Sequence, residues 1–95
     1  MPGRISSEQI RAARALLRWE QKHLALASKV SLPSIKRLER QPGTLAAQER
    51  TVAALVDALE RADAMFLEEN GGGPGVRLNK GIPEGDRPRD GAIKD

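Results

Sequence analysis

The chain has 95 residues, with 16 Lys and Arg against 13 Asp and Glu, one histidine and no cysteine. This length allows one small domain, and the lack of cysteine excludes a disulfide framework or a thiolate metal site. No apolar run approaches the roughly 18 residues of a membrane span, and the first residues lack the apolar core of a signal peptide, so we expect a cytoplasmic protein.

The first predicted helix begins with a capping box. The hydroxyl of Ser6 can accept a hydrogen bond from the backbone of Gln9, whose side chain can bond back. Apolar residues then recur at helical spacing up to Trp19, which is expected to end this helix and to plug the core rather than bind a ligand. Arg14 lies in the same apolar seam, which is an unexpected place for a free cation.

Two short helices joined by a tight turn are predicted next. The first runs from about Gln21 to Ala27 and carries His23, which we expect on its solvent side. Ser31 can cap the following helix, because its hydroxyl can accept from an unpaired amide of the first turn. Pro33 then fits as the second helical residue, where its missing N–H had no partner to lose.

The second of these helices has an inner and an outer face. Its inner face includes Glu39, so this anion and Arg14 are opposite charges on inward faces, which predicts an ion pair. The alternative is that both side chains reach water. The outer face carries a small hydroxyl and several cations, Ser34, Lys36, Arg37 and Arg40. A helix with this outer face has the chemistry of one that lies in a DNA groove.

A fourth helix is predicted from about Ala46 to Ala62, after a loop signal of Pro and Gly. Its apolar residues recur at helical spacing, and this stripe is expected to close the core over the first three helices. The stripe consists of Val52, Leu55, Val56, Leu59 and Ala62.

A β-hairpin is predicted over residues 65–69 and 75–79, around a glycine-rich loop. The loop lacks the Gly-Lys-Ser/Thr ending and the following helix of a phosphate-cradling motif. The hairpin has more apolar surface than it can bury against the fourth helix, contributed by Met65, Leu67, Val76 and Leu78. Because a lone hairpin is marginal in water, we expect this surface to contact a partner, with a second copy of the chain as the first candidate.

The stretch from Gln21 to Glu39, QKHLALASKVSLPSIKRLE, resembles the helix-turn-helix of the phage-repressor-like (Xre) family. The matching residues are Gln21, Leu24-Ala25, Val30-Ser31, Ser34-Ile35 and Leu38-Glu39, with Ile10 to Arg14 and Leu17 upstream. The family favours Gly where this chain has Lys29, because the turn residue is left-handed, and a Lys there costs roughly 1 kcal/mol. Glu20 is a second departure, since a Ser or Thr cap is usual at that position.

The resemblance covers roughly residues 5–63 and implies a fold. It implies a mainly α, four-helix, lambda-repressor-like DNA-binding domain in residues 1–63, and it implies the same Arg14–Glu39 pair. To this the sequence adds the hairpin, in residues 64–79, as a possible dimerisation element. Residues 80–95 have too few apolar side chains to order themselves and are expected to be a disordered tail.

The resemblance also implies which residues contact DNA. Bases are expected to be read from the start of the third helix, by Leu32, Pro33, Ser34, Lys36 and Arg37. Leu32 and Pro33 can touch a thymine methyl, and Arg37 can bond guanine O6 and N7. Lys36 can serve bases or phosphates. Phosphate contacts are expected from Gln21, Ser31, Arg40 and Thr44, with Gln21 helped by the dipole of its helix.

The sequence therefore predicts a sequence-specific double-stranded DNA-binding transcriptional regulator that acts as a homodimer without a cofactor. Residues 1–63 hold eleven Lys and Arg against seven Asp and Glu. This part of the chain therefore has an excess of positive charge, as binding to DNA requires. The alternative is a protein-interaction module, such as an antitoxin or an accessory factor acting on polymerase or another regulator. An enzyme is not expected, because no nucleophile–base pair, metal cluster or pair of acids shares a predicted surface.

Overall fold

The computed structural model describes residues 4–68 and 71–79, which form four helices and a two-stranded antiparallel sheet. In chain order these elements are α1 (Ser7–Leu17), α2 (Gln21–Ser28), α3 (Leu32–Arg40), α4 (Glu49–Arg61), β1 (Ala64–Leu67) and β2 (Gly75–Leu78). The prediction of a mainly α chain with a hairpin after the fourth helix is confirmed. The predicted disordered tail, residues 80–95, lies outside the described residues.

The start of α1 has the predicted capping box. The Ser6 hydroxyl accepts from the Gln9 N–H at 3.0 Å, and Gln9 Oε1 accepts from the Ser6 N–H at 3.0 Å. The helix ends at Leu17 because Arg18 turns left-handed, with φ of 61°. Trp19 therefore lies just beyond the helix instead of ending it, and its burial confirms the predicted core role.

The prediction that His23 faces solvent is wrong. Only 4% of its surface is exposed, and its Nδ1 accepts from the N–H of Glu20 at 2.8 Å. His23 is the third residue of the helix. Its imidazole therefore accepts the hydrogen bond from the N-cap amide that a Glu or Gln side chain accepts in the usual capping box. This bond draws the ring inward at the start of α2, which otherwise follows the prediction and extends one residue further, to Ser28.

The beginning of α3 follows its local sequence. The Ser31 hydroxyl accepts from the Ser34 N–H at 3.3 Å, and Pro33 is the second helical residue. Lys29, between α2 and α3, is left-handed with φ of 67°, as the family resemblance implies. The inner face of α3 is buried as predicted and consists of Ile35, Leu38 and Glu39.

The fourth helix begins three residues later than predicted, at Glu49 instead of about Ala46. The preceding segment is held in an extended path beside the chain before α1. Leu45 donates its N–H to the Ile5 carbonyl at 2.9 Å, and Thr44 pairs with Ser6 as an isolated antiparallel bridge. This pairing keeps the chain extended as far as Leu45, immediately before the predicted start of the helix. The predicted stripe of α4 is packed in the core, with Leu55, Val56 and Leu59 almost fully buried.

The hairpin is shorter than predicted and packs on α1 as well as on α4. Phe66 is paired with Val76, and Met65 with Arg77. Gln9 ties both strands to α1, because its Nε2 donates to the Gly75 carbonyl at 3.1 Å and to the Leu67 carbonyl at 3.4 Å.

This register corrects the predicted set of exposed apolar residues on the hairpin. Val76 and Leu78 are opposite Phe66 and Ala64, and both are packed against the core. The outer face keeps Met65, which is half-buried, and Leu67, which is 37% exposed. Two of the four predicted apolar residues, Met65 and Leu67, are therefore left for a partner.

Candidate nucleic-acid interface

An ion pair fixes α3 on the body of the domain. Arg14 Nε donates to Glu39 Oε2 at 2.8 Å and Arg14 Nη2 to Glu39 Oε1 at 2.6 Å. Arg14 Nη1 also donates to the Trp19 carbonyl at 3.0 Å. The side chains are 18% and 5% exposed, so the pair is largely out of water. The predicted pair is confirmed, and the alternative of two solvated charges is wrong.

Gln21 joins this pair from the first turn of α2. Its Nε2 donates to Glu39 Oε1 at 2.9 Å, so the side-chain donor is directed to α3. Glu39 thus accepts hydrogen bonds from side chains of both α1 and α2, which sets the position of α3 against both helices. The side-chain amide of Gln21 is therefore already used, and the predicted phosphate contact would have to be made by its backbone N–H. This N–H lies in the first turn of α2, where amides lack helical partners.

The outward surface of α3 is cationic. Lys36, Arg37 and Arg40 are exposed, and none of them forms an ion pair with another described residue. At 3.6 residues per turn, Pro33, Arg37 and Arg40 lie opposite the buried face of the helix. These residues form its outermost ridge.

Two open grooves follow the two sides of this ridge. The first, of about 480 Å³, lies between the start of α2 and α3 and is lined by Arg14, Trp19, Glu20, Gln21, Lys22, Leu32 and Lys36. The second, of about 730 Å³, lies between α3 and the start of α4 and is lined by Lys29, Val30, Ser34, Arg37, Ala46, Ala47, Gln48 and Thr51. All five residues predicted to contact bases therefore lie on the ridge or in these two grooves.

Ser31 and Thr44 are placed less favourably for the predicted phosphate contacts. The Ser31 hydroxyl is bonded within its own helix cap, where it also donates to Ser34 Oγ at 2.9 Å. Thr44 is exposed but lines neither groove. Its neighbour Gly43 donates its N–H to the exposed Glu8 carboxylate at 3.1 Å. This anion lies beside the loop that was predicted to hold the DNA backbone, and it would repel a phosphate.

Backbone amides keep Glu8 charged. The N–H of Glu8 itself and that of Gly43 both lower the pKa of its carboxyl below the usual value, and Arg11 adds a smaller effect. Arg11 Nη2 lies 3.5 Å from Glu8 Oε2. The negative charge near Gly43 is therefore a stable feature of this side of the domain.

Sequence reasoning missed Lys29, Gln48 and Thr51, which line the second groove. Gln48 and Thr51 come from the segment around the start of α4, and only the packing of that segment beside α3 brings them near Arg37. Lys29 does have a signal in the sequence, because a lysine occupies a turn position whose left-handed backbone favours glycine. Residues held in a backbone conformation that their type disfavours are often found at functional sites.

No protein-family model matches this chain, and no curated protein is significantly similar to it. Within residues 4–68 and 71–79, no group of three His, Asp or Glu side chains could hold a metal ion. None of the helices in the same residues is long and apolar enough to cross a membrane. The cationic ridge and its two grooves are therefore the features from which we infer a function.

Proposed function

We propose that the protein is a sequence-specific double-stranded DNA-binding regulator of transcription with the four-helix, lambda-repressor-like fold of the Xre family. The observation that carries this proposal is the exposed cationic ridge of α3, which forms no ion pair within the described residues and is held from behind by the Arg14–Glu39 pair. An α-helix is about 10–12 Å across and the major groove about 12 Å wide, so α3 can enter the groove along this ridge. We place its action in the cytoplasm, on the bacterial nucleoid, without a cofactor.

The ridge and grooves suggest distinct roles for the basic residues. Arg37 is on the outermost line of α3 and bonds guanine O6 and N7, while Pro33 on the same line touches a thymine methyl. Lys36 lies in the first groove with Gln21 and Lys22. That position favours a phosphate contact for Lys36, since phosphates border the major groove on both sides of an inserted helix.

We further propose that the protein binds as a homodimer. One recognition helix reads only a few base pairs, and specific affinity usually requires two copies on half-sites about one helical turn apart. The contact is proposed for the outer face of the hairpin, where Leu67 is exposed beside Met65 and Arg77. The reduced apolar area of this face favours a weak dimer that forms fully on a palindromic site.

The test begins with selection of bound sequences from a random DNA pool and a salt titration of binding to the selected site. The variant Lys36→Ala with Arg37→Ala should bind the selected site no better than random DNA, with an unchanged helical circular-dichroism spectrum. Loss of the Arg37 contact alone should cost roughly 1–3 kcal/mol of discrimination.

The matched control is Arg11→Ala with Arg61→Ala, which removes the same charge from residues outside both grooves and outside the hairpin. This control should bind the selected site much more tightly than the α3 variant does. Operator affinity like that of the wild type in the α3 variant would contradict the proposal. Failure of the wild type to bind DNA in a salt-dependent way would favour a protein-interaction module instead.

A further inference from the structure

The backbone of Lys29 adopts a conformation that opposes its residue type. Its φ is 67° and its ψ is 14°, in the left-handed region that a residue with a Cβ adopts at a cost. The conformation is held by a hydrogen bond from the Lys29 N–H to the Ala25 carbonyl at 2.9 Å, which ends α2. A glycine would make the same turn without strain. The turn itself therefore does not require a lysine, and the side chain is free to serve the groove beside it.

The side chain of Lys29 lies in the second groove, across from the start of α4. Arg37 lines the same groove, and Ser34 and Thr51 add two hydroxyls. Lys29 is exposed and forms no ion pair with any described residue. The groove thus brings two cations together with no carboxylate among its lining residues, an arrangement whose repulsion an anion relieves.

We propose that Lys29 binds a backbone phosphate of DNA in this groove and that its strained backbone is kept for this contact. The inference rests on the proposed function. Once α3 lies in the major groove, one phosphate backbone runs on the α2 side of the helix and the other on the α4 side. The second groove is on the α4 side, so a phosphate there lies between Lys29 and the hydroxyls.

This contact replaces one that the family resemblance implies for the loop after α3. In this chain that loop holds the charged carboxylate of Glu8 at Gly43, which disfavours a phosphate. A cation at Lys29 supplies an attachment for a DNA phosphate from within the second groove. Because phosphate carries no sequence information, the contact adds affinity without changing the preferred bases.

The test is Lys29→Gly, measured for stability and for DNA binding against salt. We expect higher resistance to urea, because the strain is removed, together with weaker binding to selected and random DNA alike. Each phosphate contact contributes about 0.9 to the slope of log K against log salt. The ratio of wild-type to Lys29→Gly affinity for DNA should therefore fall about threefold between 50 mM and 200 mM salt. The preferred DNA sequence should stay the same.

Arg18→Gly is the matched control. Arg18 is also a cation in the left-handed cap of a helix, with φ of 61°, but it lines neither groove. Its replacement should leave the salt slope unchanged. Lys29→Asn separates charge from strain, since asparagine tolerates this backbone but is neutral, and it should match Lys29→Gly in salt slope.

A free anion uses the same chemistry, so inorganic phosphate is added at constant ionic strength. We expect phosphate to compete only weakly with DNA, and to the same extent for the wild type and for Lys29→Gly. Strong competition lost in Lys29→Gly would instead assign the groove to a small anion. An unchanged salt slope in Lys29→Gly, while the wild type binds DNA, overturns this inference alone. Absence of salt-dependent DNA binding by the wild type overturns the proposed function and this inference together.

Discussion

The ion pair behind α3 gives a sharp prediction for stability. In Glu39→Ala, the guanidinium of Arg14 loses both hydrogen bonds to the carboxylate and keeps only the one to the Trp19 carbonyl, and Gln21 loses its acceptor. Breaking a fully buried pair from one side costs about 3–5 kcal/mol. Since the Arg14 side chain is 18% exposed, water compensates part of this loss, and we expect about 3 kcal/mol.

A loss of this size is large for a small domain. Each kcal/mol shifts the melting temperature of a 60–100-residue domain by roughly 4–8 °C, so Glu39→Ala should melt about 12–24 °C lower. The assay is urea unfolding followed by far-UV circular dichroism, in a double-mutant cycle with Arg14→Ala. The two changes should be non-additive by about 2 kcal/mol, because the residues are in direct contact. Glu39→Gln keeps one acceptor oxygen and should lose clearly less than Glu39→Ala.

The reasoning is refuted if the coupling energy in this cycle is indistinguishable from zero. The same variants also test the positioning of α3. Glu39 does not lie on the outward ridge, so its loss should weaken DNA binding through the orientation of α3, without changing the number of phosphate contacts. We therefore expect lower specific affinity with an unchanged salt slope.

The remaining predictions concern the turn, the hairpin and pH. Lys29→Gly should raise the free energy of unfolding by up to about 1 kcal/mol, and a clear loss would mean that the left-handed turn is not strained. Leu67→Asp should lower self-association in analytical ultracentrifugation, whereas Leu16→Asp, with a similarly exposed leucine on α1, should not; equal effects would argue against a hairpin contact. The Glu8 pKa is lowered by folding, so its stabilisation is present above its ordinary pKa of about 4.5 and is lost as pH falls below it. Glu8→Gln should weaken that acid dependence, and identical pH profiles for the two proteins would contradict this account.

Much of the fold was predictable because its signals are local. The capping box of α1 uses Ser6 and Gln9, three residues apart, and the start of α3 uses Ser31 with Pro33. Such patterns act within one helical turn, so they have the same effect in any tertiary setting. The inward charge of Arg14 was also informative, because an ion in an apolar seam demands a partner of opposite sign.

Most of the predictions that were wrong depend on contacts between distant parts of the chain. The segment around Thr44, which was predicted to lead directly into α4, pairs instead with residues before α1. His23 is the exception, because the bond that turns its ring inward is to Glu20, three residues away. The half-buried state of Val76 and Leu78 depends on the register of the hairpin and on its packing on α1. No local pattern encodes the pairing of the segment around Thr44 or the register of the hairpin.

The sequence by itself determined the order of the helices and the cationic face of α3, because spacing along one helix sets which residues share a face. The left-handed turn at Lys29 was expected only from the family resemblance. Tertiary structure alone decided that Gln21 turns to Glu39, that Glu8 occupies the loop after α3, and that Lys29 faces Thr51 across a groove. These pairings join residues on separate elements, and only the packing of those elements around a shared core sets their separation.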